Sequence, residues 1–422
     1  MRASKKGVGS HFSRTCSQLR SCVSSVSSKN DSRPLFSVAR CFVTAICVSV
    51  TSVAAQAPSA SPATEWRQFR GTPRLTGVSA ATLPPALKLL WTHETGDDPI
   101  DSSAAIVNGT VYVGAGTGDL IALDLATGKQ RWKYATGNLI GESSPAVGPD
   151  AVYVGDLAGL VHAVRLADGA RLWTFKTGAE IKSSPVLVSA GSPLRTPAQR
   201  GASDVVLIGS YDTHLYAIDA RSGRLRWKVQ TRGQVHATPA VQDGLTFVAG
   251  CDAIFRAIRI SDGTEAYQIK SGAYTGASPV LDGERAYFGT FNYEVLALDL
   301  KRRTIVWRYA NKDSEFPFYS SAALDGGRVY VGGRDKVIHA IDAASGKPSW
   351  TFATRARVDS SPVVSGGRVY VGSSDGRLYA LEAASGKKLW EFEIGAAVTA
   401  SPAIAAGRLV IGAHDGRIYV FG

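Results

Sequence analysis

One eleven-residue frame, Ala-x-Asp-x-x-Thr/Ser-Gly-x-x-x-Trp, recurs along the chain and constrains its fold more than any other feature. Ala122, Asp124, Thr127, Gly128 and Trp132 fill it, as do the matching residues of Ala217–Trp227 and Ala340–Trp350. Ala380–Trp390 has Glu382 at the Asp position and Ala163–Trp173 has Arg165. The copy opening at Ala257 ends in Tyr267, and the one opening at Ala297 reaches Trp307 with Arg303 where Gly is expected. Such a frame reads as two β-strands joined by a tight turn whose Gly supplies a positive φ. In the copy with Arg303 the turn is expected to be longer or strained.

A small-residue strand precedes each hairpin pair. It occurs at Ser102-Ser103-Ala104, Ser143-Ser144-Pro145, Ser183-Ser184-Pro185, Ala237-Thr238-Pro239, Ala277-Ser278-Pro279, Ser320-Ser321-Ala322, Ser360-Ser361-Pro362 and Ala400-Ser401-Pro402. A strand of the type Val369-Tyr370-Val371-Gly372 and one of the type Leu378-Tyr379-Ala380-Leu381 follow, and a Trp strand completes the unit. Four antiparallel strands repeated every ~40 residues are the layout of a propeller blade. The sequence therefore predicts an all-β, eight-bladed β-propeller over residues 85–422. The last unit has only three strands before Gly422, and the orphan strand Leu89-Leu90-Trp91-Thr92 is expected to complete it. Ring closure of this kind leaves no open sheet edge between the ends. Small residues suit the crowded axis. Trp91, Trp132, Trp173, Trp227, Tyr267, Trp307, Trp350 and Trp390 are expected to lie between blades, with the frame's Ala leaving them room.

Charge and cysteine usage divide the chain in the same place. Residues 1–57 hold eight Lys/Arg and one acid, leaving 39 basic and 34 acidic residues in the remainder. That mild balance, without a basic run, argues against nucleic-acid binding. Four of the five cysteines (Cys16, Cys22, Cys41, Cys47) precede residue 58, so Cys251 has no partner for an internal disulfide. No Cys/His spacing resembles a zinc site. The apolar run from Cys41 to Ala54 follows Arg40 and ends in small residues, the pattern of a secretory signal peptide. We expect a leader over 1–57, a linker and N-terminal segment over 58–84 with a flexible stretch at 57–64, and a mature chain without a membrane span. The expected product is a periplasmic or secreted monomer.

The frames resemble the tryptophan-docking motif of the quinoprotein propeller superfamily. That superfamily includes the PQQ-dependent alcohol dehydrogenases and the BamB-like outer-membrane assembly lipoproteins. Trp66-Arg67-Gln68-Phe69-Arg70-Gly71 is similar to the opening of secreted PQQ-like repeat proteins. The motif identifies a fold and says little about chemistry. Membership among the enzymes would imply PQQ on the propeller axis with a calcium ion held by acidic and amide side chains. The chain lacks their adjacent cysteines and long covering loops. The resemblance implies a binding or scaffolding module of the bacterial envelope, with a PQQ- and calcium-dependent dehydrogenase as the rival.

Candidate site residues follow from comparing the copies. The position just before each small-residue strand reads Asp101, Glu142, Lys182, His236, Gly276, Tyr319, Asp359 and Thr399 around the ring. Structural demands there are alike in every blade, so the variation marks a channel mouth open to specialisation. Asp101, Glu142 and Asp359 form an acidic arc that would either hold a hard cation or ring a wet channel with solvated charge. The first-hairpin tips add Tyr211, Phe291, Asn292, Tyr293, Arg334 and His414. Loops of the fifth and sixth blades add Tyr274, Phe316 and Phe318. These rings either contact a ligand or partner, or pack locally. The insertion Ser189–Asp204 reads as a surface loop on the opposite face.

Overall fold

The computed structural model describes residues 61–190 and 203–422. The expected leader, residues 58–60 of the linker and most of the Ser189–Asp204 insertion lie outside them. The described residues form 33 strands and no helix, so none is long and apolar enough to cross a membrane.

The strands build eight sheets, and within each blade the four strands pair antiparallel. In blade one, β3 (Ala105–Val107), β4 (Thr110–Gly114), β5 (Asp119–Asp124) and β6 (Gln130–Ala135) follow one another from axis to rim. Six further blades repeat that order. In the eighth, β31 (Ala403–Ala405), β32 (Arg408–Gly412) and β33 (Arg417–Phe421) are completed by β2 (Leu89–Glu94), with Trp91 opposite Val420. The ring is thus closed by strands distant in sequence.

Each docking indole reaches into the next blade. In six of the seven, the N–H donates to the backbone carbonyl of the fourth frame residue there, as from Trp132 to Leu166 at 2.8 Å and from Trp227 to Ile260 at 2.9 Å. The same contact recurs at Trp91, Trp173, Trp307 and Trp350. Space for the ring comes from the Gly of the next turn, not from the frame's Ala. A Cβ on Gly169 would lie 2.9 Å from the Trp132 ring. The Ala instead pairs with the Trp across its own sheet, as Ala122 does with Trp132. Trp390 faces the terminal strand and meets Phe421 edge-on at 5.6 Å. Arg303 holds the turn at ordinary length: its N–H bonds Asp299 O at 2.8 Å, as Gly128 N–H does Asp124 O. The strain is confined to a φ of 59°.

Residues 61–81 are a strap rather than a free linker. They run around the end of the channel remote from the variable loops. Trp66 exchanges backbone hydrogen bonds with Ile106 of blade one, and the carbonyls of Arg67, Pro73, Arg74, Thr76 and Gly77 accept from blades two, four, five, six and seven. Ala63 bonds blade eight, and β1 (Val78–Ser79) adds a parallel strand to β27 (Val363–Ser365). Ser61, placed by sequence in the flexible stretch, is buried against Ser79. Arg70 is also buried; its guanidinium donates to Ala322 O at 2.9 Å, and burial lowers its pKa to about 9.

Candidate functional site: the channel mouth

The second Ser or Thr of each small-residue strand builds the throat. Ser103 N–H donates to Ser144 Oγ at 3.0 Å, Ser144 N–H to Ser184 Oγ, and Ser184 N–H to Thr238 Oγ1. The series continues through Ser278, Ser321, Ser361 and Ser401, whose N–H returns to Ser103 Oγ at 2.9 Å. Eight backbone-to-hydroxyl bonds thus form a closed belt around the axis. This explains why a short hydroxyl side chain recurs there: it alone satisfies a neighbouring N–H without filling the channel.

Above the belt, a cavity of about 290 Å³ is lined by all eight variable positions, with Phe69 reaching it from the strap. Seven of these positions are set by one device: a buried apolar residue just upstream fills the notch left by a Gly in the preceding blade. Ile100 fits the notch at Gly412, Val358 that at Gly332 and Phe318 that at Gly289. Phe318 is therefore an anchor and not a surface residue; it lies buried against Tyr309 and His339. In blade two the anchor is Ile140, and the extra residue Gly141 separates it from Glu142.

Glu142 crosses the mouth. Its carboxylate accepts from Tyr319 Oη at 2.9 Å and lies 3.1 Å from His236 Nε2, on blades six and four. Tyr211 Oη lies 2.6 Å from His236 Nδ1, so with the proton on Nε2 the tyrosine donates to the imidazole. Burial pushes the Glu142 carboxyl up, but His236, Tyr319 and Lys182 outweigh it and hold its pKa below the usual value. Burial and the Glu142 charge push the Tyr319 and Tyr211 phenols up, so both stay protonated donors.

The other two carboxylates are equally committed. Asp101 accepts from Thr399 Oγ1 at 2.6 Å and lies 3.0 Å from His414 Nε2. Burial raises its pKa, yet these two bonds bring it below normal. Asp359 receives a two-pronged bond from Arg334 at 2.8 and 3.2 Å and a further contact from Arg357 at 3.1 Å. Arg334 also covers the Tyr319 ring at 4.4 Å. The acidic arc therefore does not converge, and no group of three His, Cys, Asp or Glu among the described residues is placed to hold a metal. Lys182 forms no ion pair among the described residues; its ammonium lies 5.4 Å from the Tyr211 ring centre.

A second cavity, of about 350 Å³, opens beside the first. Tyr211, Gln234, His236, Cys251, Tyr274, Gly276, Phe291 and Tyr319 line it. Tyr274, Tyr293 and Phe316 are strongly exposed, at 57%, 40% and 53%. Asn292 turns back to Gly272 O at 3.3 Å and does not line either cavity. Sequence reasoning missed Arg357, Phe69 and Gln234; the first precedes its variable position by two residues, and the second belongs to a strap whose path no periodicity reveals.

A family profile described as outer membrane protein assembly factor BamB matches residues 76–196, 157–315 and 292–421. The chain belongs to the BamB family of PQQ-like propellers. BamB of Yersinia pestis is 25% identical over 182 residues, covering 39% of this chain and 44% of that protein. The beta-alanine-activating enzyme of Danio rerio is 31% identical over 129 residues, covering 28% of this chain and 11% of that protein. The chain thus spans less than half the length of these curated relatives. The crystal structure of BamB from Moraxella catarrhalis superposes with a TM-score of 0.65 at 16% identity, covering 80% of this chain and 97% of that one. A europium-containing methanol dehydrogenase reaches 0.68 at 14% identity, covering 85% and 98%. At such identities these likenesses establish the fold alone.

Within this BamB-family chain the mouth does not fit PQQ with calcium. A divalent ion needs several oxygen ligands converging on one point, whereas Asp101, Glu142 and Asp359 each hold a separate cationic or hydroxyl partner. The Glu142–Tyr319 contact also crosses the mouth from blade two to blade six.

Proposed function

We propose that this BamB-family chain is an exported binding or scaffolding module of the bacterial envelope, using its mouth face to hold a protein partner. One observation carries this reading: every mouth carboxylate is committed to a neighbouring side chain, while large aromatics stand exposed on the loops around it. Catalysis by acid and base needs a group free to exchange a proton with substrate. The mouth carboxylates are instead held by internal bonds, and such preorganisation favours recognition. Export is supported by the apolar run Cys41–Ala54 and by the likeness to BamB, an outer membrane protein assembly factor. Co-purification from envelope extracts after mild crosslinking tests the proposal. A defined protein should be recovered with the wild type and lost on Tyr274→Ser with Phe316→Ser. Recovery of the chain alone would contradict it.

A further inference from the structure

The second cavity owes its existence to two small residues. At the variable position, seven blades carry a side chain and blade five carries Gly276. A Cβ there would already lie 3.0 Å from Tyr319 and 3.3 Å from His236. At the hairpin-tip position, where blades three, five and six place Tyr211, Phe291 and Arg334, blade four places Cys251. The space so left is walled by four Tyr and Phe rings and the His236 imidazole. Their polar atoms are largely spoken for: Tyr211 Oη bonds His236, Tyr319 Oη bonds Glu142, and Cys251 Sγ faces Thr275 O at 3.6 Å. Ring faces and edges not under Lys182 and Arg334 remain to be covered. Phe291 meets Tyr319 edge-on at 6.0 Å, and Tyr319 meets His236 edge-on at 5.5 Å, which fixes the walls.

We propose that this cavity receives one aromatic side chain projecting from a protein partner. Its volume lies at the low end of ligand pockets, suited to a single ring. Its lining carries no acid, lysine or arginine, so the walls themselves offer a charged side chain no direct ion-pair partner. Cationic occupants are disfavoured further because Lys182 and Arg334 already stand over Tyr211 and Tyr319. An aromatic anchor in a preformed pocket, flanked by exposed Tyr274, is the arrangement that concentrates binding energy at interfaces. The assignment rests on the binding-module reading and specifies its chemistry.

Cys251 supplies a reporter inside the cavity. The full-length protein is treated with iodoacetamide at mildly alkaline pH, since burial raises the thiol's pKa, and Cys251 modification is followed by peptide mass spectrometry. The probes are capped, glycine-flanked peptides with a central phenylalanine, tryptophan, glutamate or lysine. Phenylalanine and tryptophan peptides should slow Cys251 modification about threefold when present at about twice a millimolar dissociation constant, and Gly276→Leu or Tyr274→Ser should abolish the effect. Saturation-transfer NMR with the same peptides reads the contact independently of the thiol. Equal protection by all four peptides, or no aromatic contact by either method, overturns the proposal. If Gly276→Leu keeps its envelope partner, this pocket assignment falls while the binding-module reading stands. If the wild type also captures no partner, that reading falls separately.

Discussion

The Arg303 guanidinium lies 4.7 Å from the centre of the Tyr267 ring. This is the junction between blades four and five, where the docking residue is Tyr and the turn residue is not Gly. Elsewhere the Gly is bare because an indole lies against it. Here the smaller phenol is covered by a cation instead. The two departures from the repeat are thus one paired solution. Arg303→Gly relieves a positive φ worth about 1 kcal/mol but removes a contact worth about 0.5–1 kcal/mol, so stability should change by less than about 1 kcal/mol. Gly263→Ala, at the Trp227 junction, adds a Cβ 2.8 Å from the indole at φ 77° and should cost about 2 kcal/mol or more. Urea denaturation midpoints of the two variants check the contrast; equal losses would contradict it.

The hydroxyl belt makes a second expectation. Ser321→Ala leaves the buried Ser278 N–H without its acceptor and should destabilise by about 1–3 kcal/mol. Ser321→Thr retains the hydroxyl, as Thr238 already does in blade four, and should lie closer to wild type. Denaturant unfolding of both variants measures the difference.

Glu142 predicts a pH dependence with a definite sign. Its folded pKa is lowered, so its stabilising contribution is present above the ordinary carboxyl value of 4.5 and lost as pH falls through the depressed folded value. Glu142→Gln should therefore narrow its stability deficit as pH drops below that ordinary value. Unfolding free energies measured across this acidic window, for both proteins, test it. A deficit that stays constant with pH would separate the carboxylate from the loss.

Gly77 holds the strap against the buried Arg70 guanidinium. A Cβ would occupy the space of Arg70 Nη2, at a φ of 65°. Gly77→Ala should loosen residues 61–81 selectively. Hydrogen exchange would show faster exchange at Val364, Leu324 and Leu281, whose N–H groups bond the strap, with the outer strands unchanged.

What the sequence makes legible here is whatever repeats. The eight blades, closure by Leu89–Glu94 and the ring position of Asp101 through Thr399 all follow from spacing, because each copy solves the same packing problem. The strap was hidden because Trp66–Gly77 has neither alternation nor a repeat partner. Its irregular backbone bonds depend on the finished ring. The long loop of Phe318 hides its equivalence to Val358 and Ile100, so the sequence leaves surface contact and local packing both open for it. The acidic arc looked like one feature in sequence, yet Glu142 reaches Tyr319 four blades away. That pairing is set by distances across the axis, which no linear pattern records.

Binding rather than quinoprotein catalysis is tested most directly by adding PQQ and calcium to the purified protein. Quinone absorbance retained after gel filtration is measured together with dye reduction by alcohols and sugars. With Asp101, Glu142 and Asp359 each held by its own partner, neither retained quinone nor dye reduction is expected. Stoichiometric PQQ retention with substrate-dependent dye reduction would contradict the account.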